Sequence, residues 1–316
     1  MIPKSKSQLP ILSIMIPTFK RPDLIRETIQ SALNQDTDLD FKIVVVDNDI
    51  ESSEISKVVS SFDDDRLSYV QNEANLGMFG NWNRCLELCE TDWVTILHDD
   101  DLLYPDFISR ISPYFTSGKY ELVSCLNSRG KNVDLTSTLN RSGEIQVINP
   151  LRLVEGNIVS APGVVYKKKN ALAIKGFDKD SFPCSDYEFY INYIQKFGNS
   201  IIVREELAFY RIFDNETYKS DTLKRMILKT YEFSNSIQGV PAIIKKIIIK
   251  SNILNGWLKD LRTYDENYEK HLEEIKMKCD ISDLELSPPI KFSYRILKFA
   301  ILFVNNFCFR KSIKPS

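Results

Sequence analysis

The sequence predicts an α/β protein with a mostly parallel central sheet flanked by helices, followed by a helical C-terminal region. Three observations carry this expectation. Short apolar runs alternate with amphipathic stretches up to Leu103, each run gives way to a polar or acidic turn, and from Lys219 onward the pattern is helical throughout.

The first run, Ile11 to Ile16, is rich in β-branched residues and stops at Pro17-Thr18, which marks a buried strand. The next segment starts with Pro22 near the first helical position and Asp23 in the first turn. It sets Leu24, Ile25, Ile29, Ala32 and Leu33 on one face, as an amphipathic helix does. Phe41 to Val46 repeats the strand signal and ends at Asp47-Asn48-Asp49, and Ile55, Val58, Val59 and Phe62 mark the helix after it. Leu67 to Val70 predicts a third strand, Met78 to Cys89 a third helix and Asp92 to Leu97 a fourth strand. In sheets of this kind ligands bind beyond the carboxyl ends of the strands. The turns expected there are Pro17-Thr18-Phe19, Asp47-Asn48-Asp49 and His98-Asp99-Asp100-Asp101.

Beyond Leu103 the alternation loosens. A helix follows Pro105, strands are expected at Leu122 to Cys125 and near Val164 to Tyr166, and the polar stretch from Asn127 to Gly143 reads as a loop or meander. A helix over Asp186 to Lys196 and a short strand over Ile201 to Arg204 precede the helical tail.

Composition bounds the chemistry. The 316 residues are 43% hydrophobic and 11% aromatic, enough to fill a sizeable core. With 41 Lys and Arg against 43 Asp and Glu, no global basic field points to nucleic acid. Six scattered cysteines have neither disulfide-framework nor zinc spacing, which fits a reducing cytoplasm. The N-terminus lacks a signal-peptide pattern. Two histidines, His98 and His271, leave little room for triads or multi-histidine metal sites, so carboxylates must carry the chemistry.

The segment from Ile290 to Ser312 sets an apolar core among Lys291, Arg295, Lys298, Arg310 and Lys311. Its uncharged run, Phe299 to Phe309, is about half of the ~20 residues a spanning helix needs. Two readings stand: a cationic amphipathic helix lying on an anionic membrane, or a terminal helix packed on its own domain.

Asp99, Asp100 and Asp101 directly after a buried strand form the strongest local signal. Carboxylates this close repel unless a cation separates them, and Mg²⁺ or Mn²⁺ prefers carboxylate and phosphate oxygens. A solvated turn capping a helix is the other reading of the same triplet. Asp47 is expected on the same rim, which favours a single site.

The blocks SIMIPTFKRPDLIRETIQSALNQ, VVVDND, NEANLG and WVTILHDDDLLYPDFI resemble the N-terminal half of the inverting family 2 glycosyltransferases with the GT-A fold. GVVYKKKNALAIKGFD, CSDYEFYINYIQKFG and FYR before Asn215 are similar to that family's later blocks, so the resemblance runs from about Leu12 to Asn215. It implies a nucleotide-diphospho-sugar transferase fold. Residues 1–216 would be the catalytic domain, with 10–104 its nucleotide-binding half and 105–216 its acceptor half, and 217–316 a helical extension. It also implies that Pro17, Thr18, Phe19 and Asp47 cradle the nucleoside, that Asn75, Gly77 and Arg84 face the nucleotide, and that Asp99 and Asp100 belong with the donor-binding residues. Asp99 and Asp101 match the metal-binding motif for Mn²⁺ or Mg²⁺, Asp186 matches the catalytic base, and Tyr187 beside it is an acceptor candidate.

Two departures stand out. His98 replaces a frequent aspartate, either as a loop-stabilising group or as a metal ligand, and Ser185 replaces an acid before Asp186. The expected activity is sugar transfer from a UDP-sugar to a glycan or lipid-linked acceptor in bacterial surface polysaccharide synthesis, in the cytoplasm or at the inner face of the membrane. A nucleotidyltransferase would normally need a glycine-rich phosphate loop, and PTFKRPD contains no glycine. A catalytically inactive binding module would keep the fold but has no need of Asp101 and Asp186.

Overall fold

The structure is a computed structural model that describes residues 10–135, 143–159, 161–212, 219–265 and 267–279. Its elements run β1 (Leu12–Thr18), α1 (Pro22–Leu33), β2 (Phe41–Asp47), α2 (Glu54–Ser60), β3 (Leu67–Gln71), α3 (Gly77–Leu88), β4 (Trp93–Ile96), β5 (Leu102–Leu103), α4 (Phe107–Phe115) and β6 (Leu122–Gly130). There follow β7 (Ile145–Val147), α5 (Pro150–Val154), β8 (Val164–Lys167), α6 (Lys168–Ala173), α7 (Ser185–Phe197), β9 (Ser200–Arg211), α8 (Ser220–Ser236), α9 (Ala242–Asn252), α10 (Leu258–Tyr264) and α11 (Tyr268–Lys278). The described residues fall into two compact units. One lies within Met1–Ile145, Ser160–Phe177 and Ile201–Ile212, the other within Gln146–Val159, Asp178–Ser200 and Phe213–Ser316.

In the first unit the strands follow the order β3-β2-β1-β4-β8-β6-β9-β5. β1 pairs in parallel with β2 and with β4, and β2 in parallel with β3. All seven residues of β1 and all four of β4 are buried, as central strands covered on both faces must be. Helix α1 begins at Pro22, whose missing N–H costs nothing there, and buries Ile25, Ile29, Ala32 and Leu33. The expected parallel pairing holds as far as β4. Beyond it the sheet is antiparallel: β8 pairs with β4 and β6, and β5 with β9. The change falls where the regular β-α alternation loosens in the sequence.

Two elements are longer than the residue pattern suggests. β6 continues to Gly130, taking up the start of the polar stretch, of which 136–142 lie outside the described residues. β9 reaches Arg211 because Glu205, a charged residue that disguises the strand, points inward and is neutralised. Arg110 donates to both its carboxylate oxygens, at 2.9 and 2.5 Å, and the Gly143 amide donates at 2.6 Å. A buried carboxylate survives only with such pairing.

The second unit is largely helical. Tyr187, Phe189, Tyr190 and Tyr193 of α7 are all buried, and the Tyr187 hydroxyl donates to the Leu153 carbonyl at 2.5 Å and meets Ser234 Oγ at 3.0 Å. His271, buried in α11, bonds Asp265 through Nδ1 at 2.7 Å, and Ser220 Oγ donates to the same carboxylate, tying the start of α8 to the start of α11. No helix among the described residues is long and apolar enough to cross a membrane. The basic segment from Ile290 to Ser312 lies outside the described residues.

Candidate active site

Parallel pairing places the ends of β1, β2, β3 and β4 on one rim. Thr18 is in register with Asp47, and Asp47 with Gln71. The Leu97 amide continues the ladder to the Met15 carbonyl at 2.9 Å, so the turn His98 to Asp101 emerges beside Thr18 and Phe19.

That turn is cross-linked on every side. Asp99 Oδ2 accepts from Thr18 Oγ1 at 2.8 Å and from the Phe19 amide at 3.3 Å. Thr28 Oγ1 of α1 lies 3.0 Å from the Asp99 carbonyl and 2.9 Å from that of Asp101. The Arg211 amide donates to Asp101 Oδ1 at 3.0 Å, while its guanidinium reaches the Asp100 carbonyl at 2.9 Å and Glu27 at 2.6 Å. Arg21 spans Asp99 and Asp100, at 3.3 and 2.5 Å.

His98 has a defined seat. Its ring stacks on Trp82, with centroids 4.7 Å apart and planes 22° apart, and its Nδ1 lies 3.3 Å from Asp101 Oδ2. Trp82 in turn meets the edge of Phe177 at 5.2 Å. Phe177 is clamped by Asn83, which accepts from its amide and donates to its carbonyl, both at 2.8 Å. The clamp requires glycine at 176: its φ is +69°, and an added Cβ would lie 2.1 Å from Asn83 Oδ1. Gly176→Ala should therefore cost about 2–3 kcal/mol. Chemical denaturation checks this, and an unchanged midpoint would refute the clamp.

Burial and mutual repulsion shape the acids. Asp99 is 6% exposed and Asp101 1%. Burial pushes Asp99 up to about 6 despite Arg21 and Thr18, and raises Asp101 as well. Burial works against a charged His98, but Asp101, with Asp100 and Asp99 behind it, outweighs burial and raises its pKa.

His98, Asp100 and Asp101 each offer a ligand atom within 4.8 Å of the others. Among the described residues His98 Nε2 is buried with no hydrogen-bond partner, and buried Asp101 Oδ2 has only its 3.3 Å ion-pair contact with His98 Nδ1. Orphaned polar atoms in such a turn are what a hard cation would satisfy, so the donor set fits a divalent metal. Asp99, paired with Asp101 in the sequence-based expectation, bonds Thr18, Phe19 and Arg21 through its carboxylate.

Around β2 the rim is organised by asparagines: Asn48 and Asn75, both named from the sequence, and Asn72 and Asn81, which the sequence did not single out. Asn48 Nδ2 donates to Asn75 Oδ1 at 2.7 Å, and Asn48 Oδ1 accepts from the Leu76 amide at 2.9 Å and from Asn72 at 3.1 Å. Asn81 accepts from Asn72 and donates to the Val46 carbonyl. Asn75 also accepts from the Gly77 amide, where φ of +71° starts α3. Asp47 is fully buried, accepting from Tyr69 OH and the Asp49 amide, both at 2.9 Å, and burial raises its pKa. Asn72 follows β3 and Asn81 lies inside α3, so neither carried a local signal of the network.

Pro17, Thr18, Phe19, Asp47, Asn75, Gly77 and the three aspartates thus belong to one rim. Arg84 does not join their hydrogen bonds; it pairs with Glu87 along α3 at 2.9 Å. In the second unit Asp186 stands in the first turn of α7, and its Oδ2 accepts from Asn157 Nδ2 at 2.7 Å. Tyr187 next to it faces inward and is 2% exposed.

Four parallel strands, antiparallel strands beyond them and an acidic turn after β4 define a GT-A-type glycosyltransferase fold. The solved structures agree. Staphylococcus aureus TarS 1–349 in complex with UDP-GlcNAc superposes with a TM-score of 0.60 at 14% identity, over 90% of this chain and 92% of that one. The Pyrobaculum calidifontis mannosyltransferase in complex with GDP-Man and Mn²⁺ gives 0.59 at 15% identity, over 93% and 80%. At such identities the likeness shows the fold alone. The family model Glycosyl transferase family 2 matches residues 13–163. An uncharacterised glycosyltransferase of Methanocaldococcus jannaschii is 23% identical over 230 residues, covering 70% of this chain and 78% of its own. The GalNAc(5)-diNAcBac-PP-undecaprenol beta-1,3-glucosyltransferase of Campylobacter jejuni is 29% identical over 217 residues, covering 66% and 67%. Residues 13–163 thus match glycosyltransferase family 2, the relatives of the chain are glycosyltransferases, and the protein is a transferase enzyme.

Proposed function

We propose that the enzyme moves a sugar from a UDP-sugar to a hydroxyl of a glycan or lipid-linked acceptor, with inversion at the anomeric carbon. The observation that carries this reading is the turn His98 to Asp101, whose donor atoms cluster within 4.8 Å beside the Thr18 and Asp47 loops. A structural neighbour in complex with UDP-GlcNAc and another with GDP-Man and Mn²⁺ support a nucleotide-sugar donor. The Campylobacter relative, whose name specifies a polyprenyl-diphosphate glycan, supports a lipid-linked acceptor and a role in surface polysaccharide synthesis.

In this reading Mn²⁺ or Mg²⁺ is held by Asp101 and Asp100, with His98 beside them, and would supply positive charge opposite the leaving diphosphate. Asp99 holds the β1 loop in place through Thr18 and Phe19, presenting that loop to the nucleoside. Asp186 takes the proton from the acceptor hydroxyl as its oxygen attacks the anomeric carbon and the bond to the diphosphate breaks. Asn157 fixes one oxygen of that carboxylate.

Nucleotide release measured across a panel of UDP- and GDP-sugars, with Mn²⁺ or EDTA, tests the whole reading. Release from a UDP-sugar that needs both metal and acceptor is expected; metal-independent release would overturn the metal assignment, and a GDP-sugar preference the choice of base.

The basic segment from Ile290 gives the enzyme peripheral contact with an anionic membrane, because its cationic residues flank an apolar run too short to span. Truncation before Ile290 should abolish sedimentation with anionic vesicles at low salt. Equal binding by both chains would remove the tail from the account.

A further inference from the structure

The acidic turn carries its own positive charge. Arg21 is held just before α1, where its carbonyl accepts from the Ile25 amide at 3.2 Å and Pro22 fixes the next φ. Its Nη1 lies 2.5 Å from Asp100 Oδ2 and 3.3 Å from Asp99 Oδ1. Asp99 has other partners in Thr18 and Phe19. Among the described residues Arg21 is the one side chain that bonds the Asp100 carboxylate.

The second arginine of the site behaves differently. Arg211 is 7% exposed, and its guanidinium is fixed on the Asp100 carbonyl and Glu27. The Arg21 side chain is 44% exposed, so it can leave its carboxylates for water without passing through packed groups. One arginine is built in, and the other is exchangeable.

Asp100 also belongs to the group His98, Asp100 and Asp101 whose donor atoms can close on a cation. A guanidinium on Asp100 Oδ2 and a divalent ion seek the same charge, and like charges a few ångströms apart cannot both be accommodated cheaply. Charge-assisted hydrogen bonds of this kind are among the strong ones, so the competition is substantial. We propose that Arg21 is an internal counter-ion that competes with the divalent cation for Asp100 and yields this carboxylate when the metal enters. The inference rests on the reading of the acidic turn as a metal site. It adds a residue that holds the turn together without metal and sets how tightly metal binds in the absence of donor.

The test uses the full chain without nucleotide and Mn²⁺ alone as probe, with free Mn²⁺ followed by electron paramagnetic resonance. Arg21→Gln should bind Mn²⁺ about tenfold more tightly than wild type, and Arg21→Lys, which keeps the charge, should stay close to wild type. Arg21→Gln should also melt lower than wild type without metal, and Mn²⁺ should raise its melting temperature by more than it raises that of wild type. A purely structural Arg21 would lower the melting temperature equally with and without Mn²⁺. Equal or weaker Mn²⁺ binding by Arg21→Gln overturns the counter-ion. Asp100→Asn separates the two readings: it should lose Mn²⁺ binding, and full binding there would overturn the competition at Asp100 while the metal site stands. No binding by any chain at millimolar Mn²⁺ would fell both.

Discussion

Asp186→Asn is expected to lower sugar transfer by about 10²–10⁴-fold, the contribution typical of a general base, while nucleotide binding survives. The substitution keeps the shape of the side chain and its acceptance of a hydrogen bond from Asn157, but an amide cannot take the acceptor's proton. Asp186 lies in the first turn of α7, where an acidic residue also favours the helix dipole. Its loss as a purely structural residue would therefore cost about 0.3–1 kcal/mol of stability and leave turnover alone. Melting temperature, UDP affinity and transfer rate measured on the one variant separate the two roles. A near-normal rate with a lowered melting temperature would remove Asp186 from the chemistry.

The second large effect is expected at the acidic turn. Asp101→Asn and Asp100→Ala should each weaken Mn²⁺-dependent stabilisation by UDP about tenfold or more, and Asp99→Ala should weaken it by freeing the Thr18 and Phe19 loop. Asp101→Asn still offers an oxygen to the Arg211 amide, so β9 keeps its anchor. Without metal the apo fold should hold, because removing one of three clustered carboxylates relieves repulsion. Thermal shift with UDP, in Mn²⁺ and in EDTA, reads this directly. Unchanged metal-dependent UDP stabilisation in both Asp100 and Asp101 variants would show that the cation, if used, sits elsewhere.

Much of the molecule was legible in the residue pattern. Strands β1, β2 and β4 are continuous apolar runs ended by proline or acids, and α1 declares its start with Pro22 and Asp23. Buried parallel strands and amphipathic helices leave such marks because each residue answers to a local period and to burial alone. The rim residues followed, since a strand's end fixes where its turn emerges.

What the pattern hid has a common cause. Glu205 reads as surface and is buried, because its partner Arg110 lies ninety-five positions away. Arg21, Trp82 and Arg211 gave no local sign of touching the acidic turn, for they reach it only across the sheet from β1, α3 and β9. Tyr187, adjacent to Asp186 in sequence, is buried while Asp186 is partly exposed, because successive residues on a helix are turned by about 100°.

The sequence by itself determined the resemblance to family 2 glycosyltransferases, the parallel strands β1 to β4 and the presence of three aspartates where a parallel strand ends. Only the tertiary structure decided how those aspartates divide their work: Asp99 is bound to the β1 loop, Asp100 to Arg21, and Asp101 is buried between His98 and the Arg211 amide. Three identical side chains in a row carry the same local information. Apart from His98, three residues before Asp101, their partners come from elements 71 to 110 residues distant, which only the folded sheet brings to one rim.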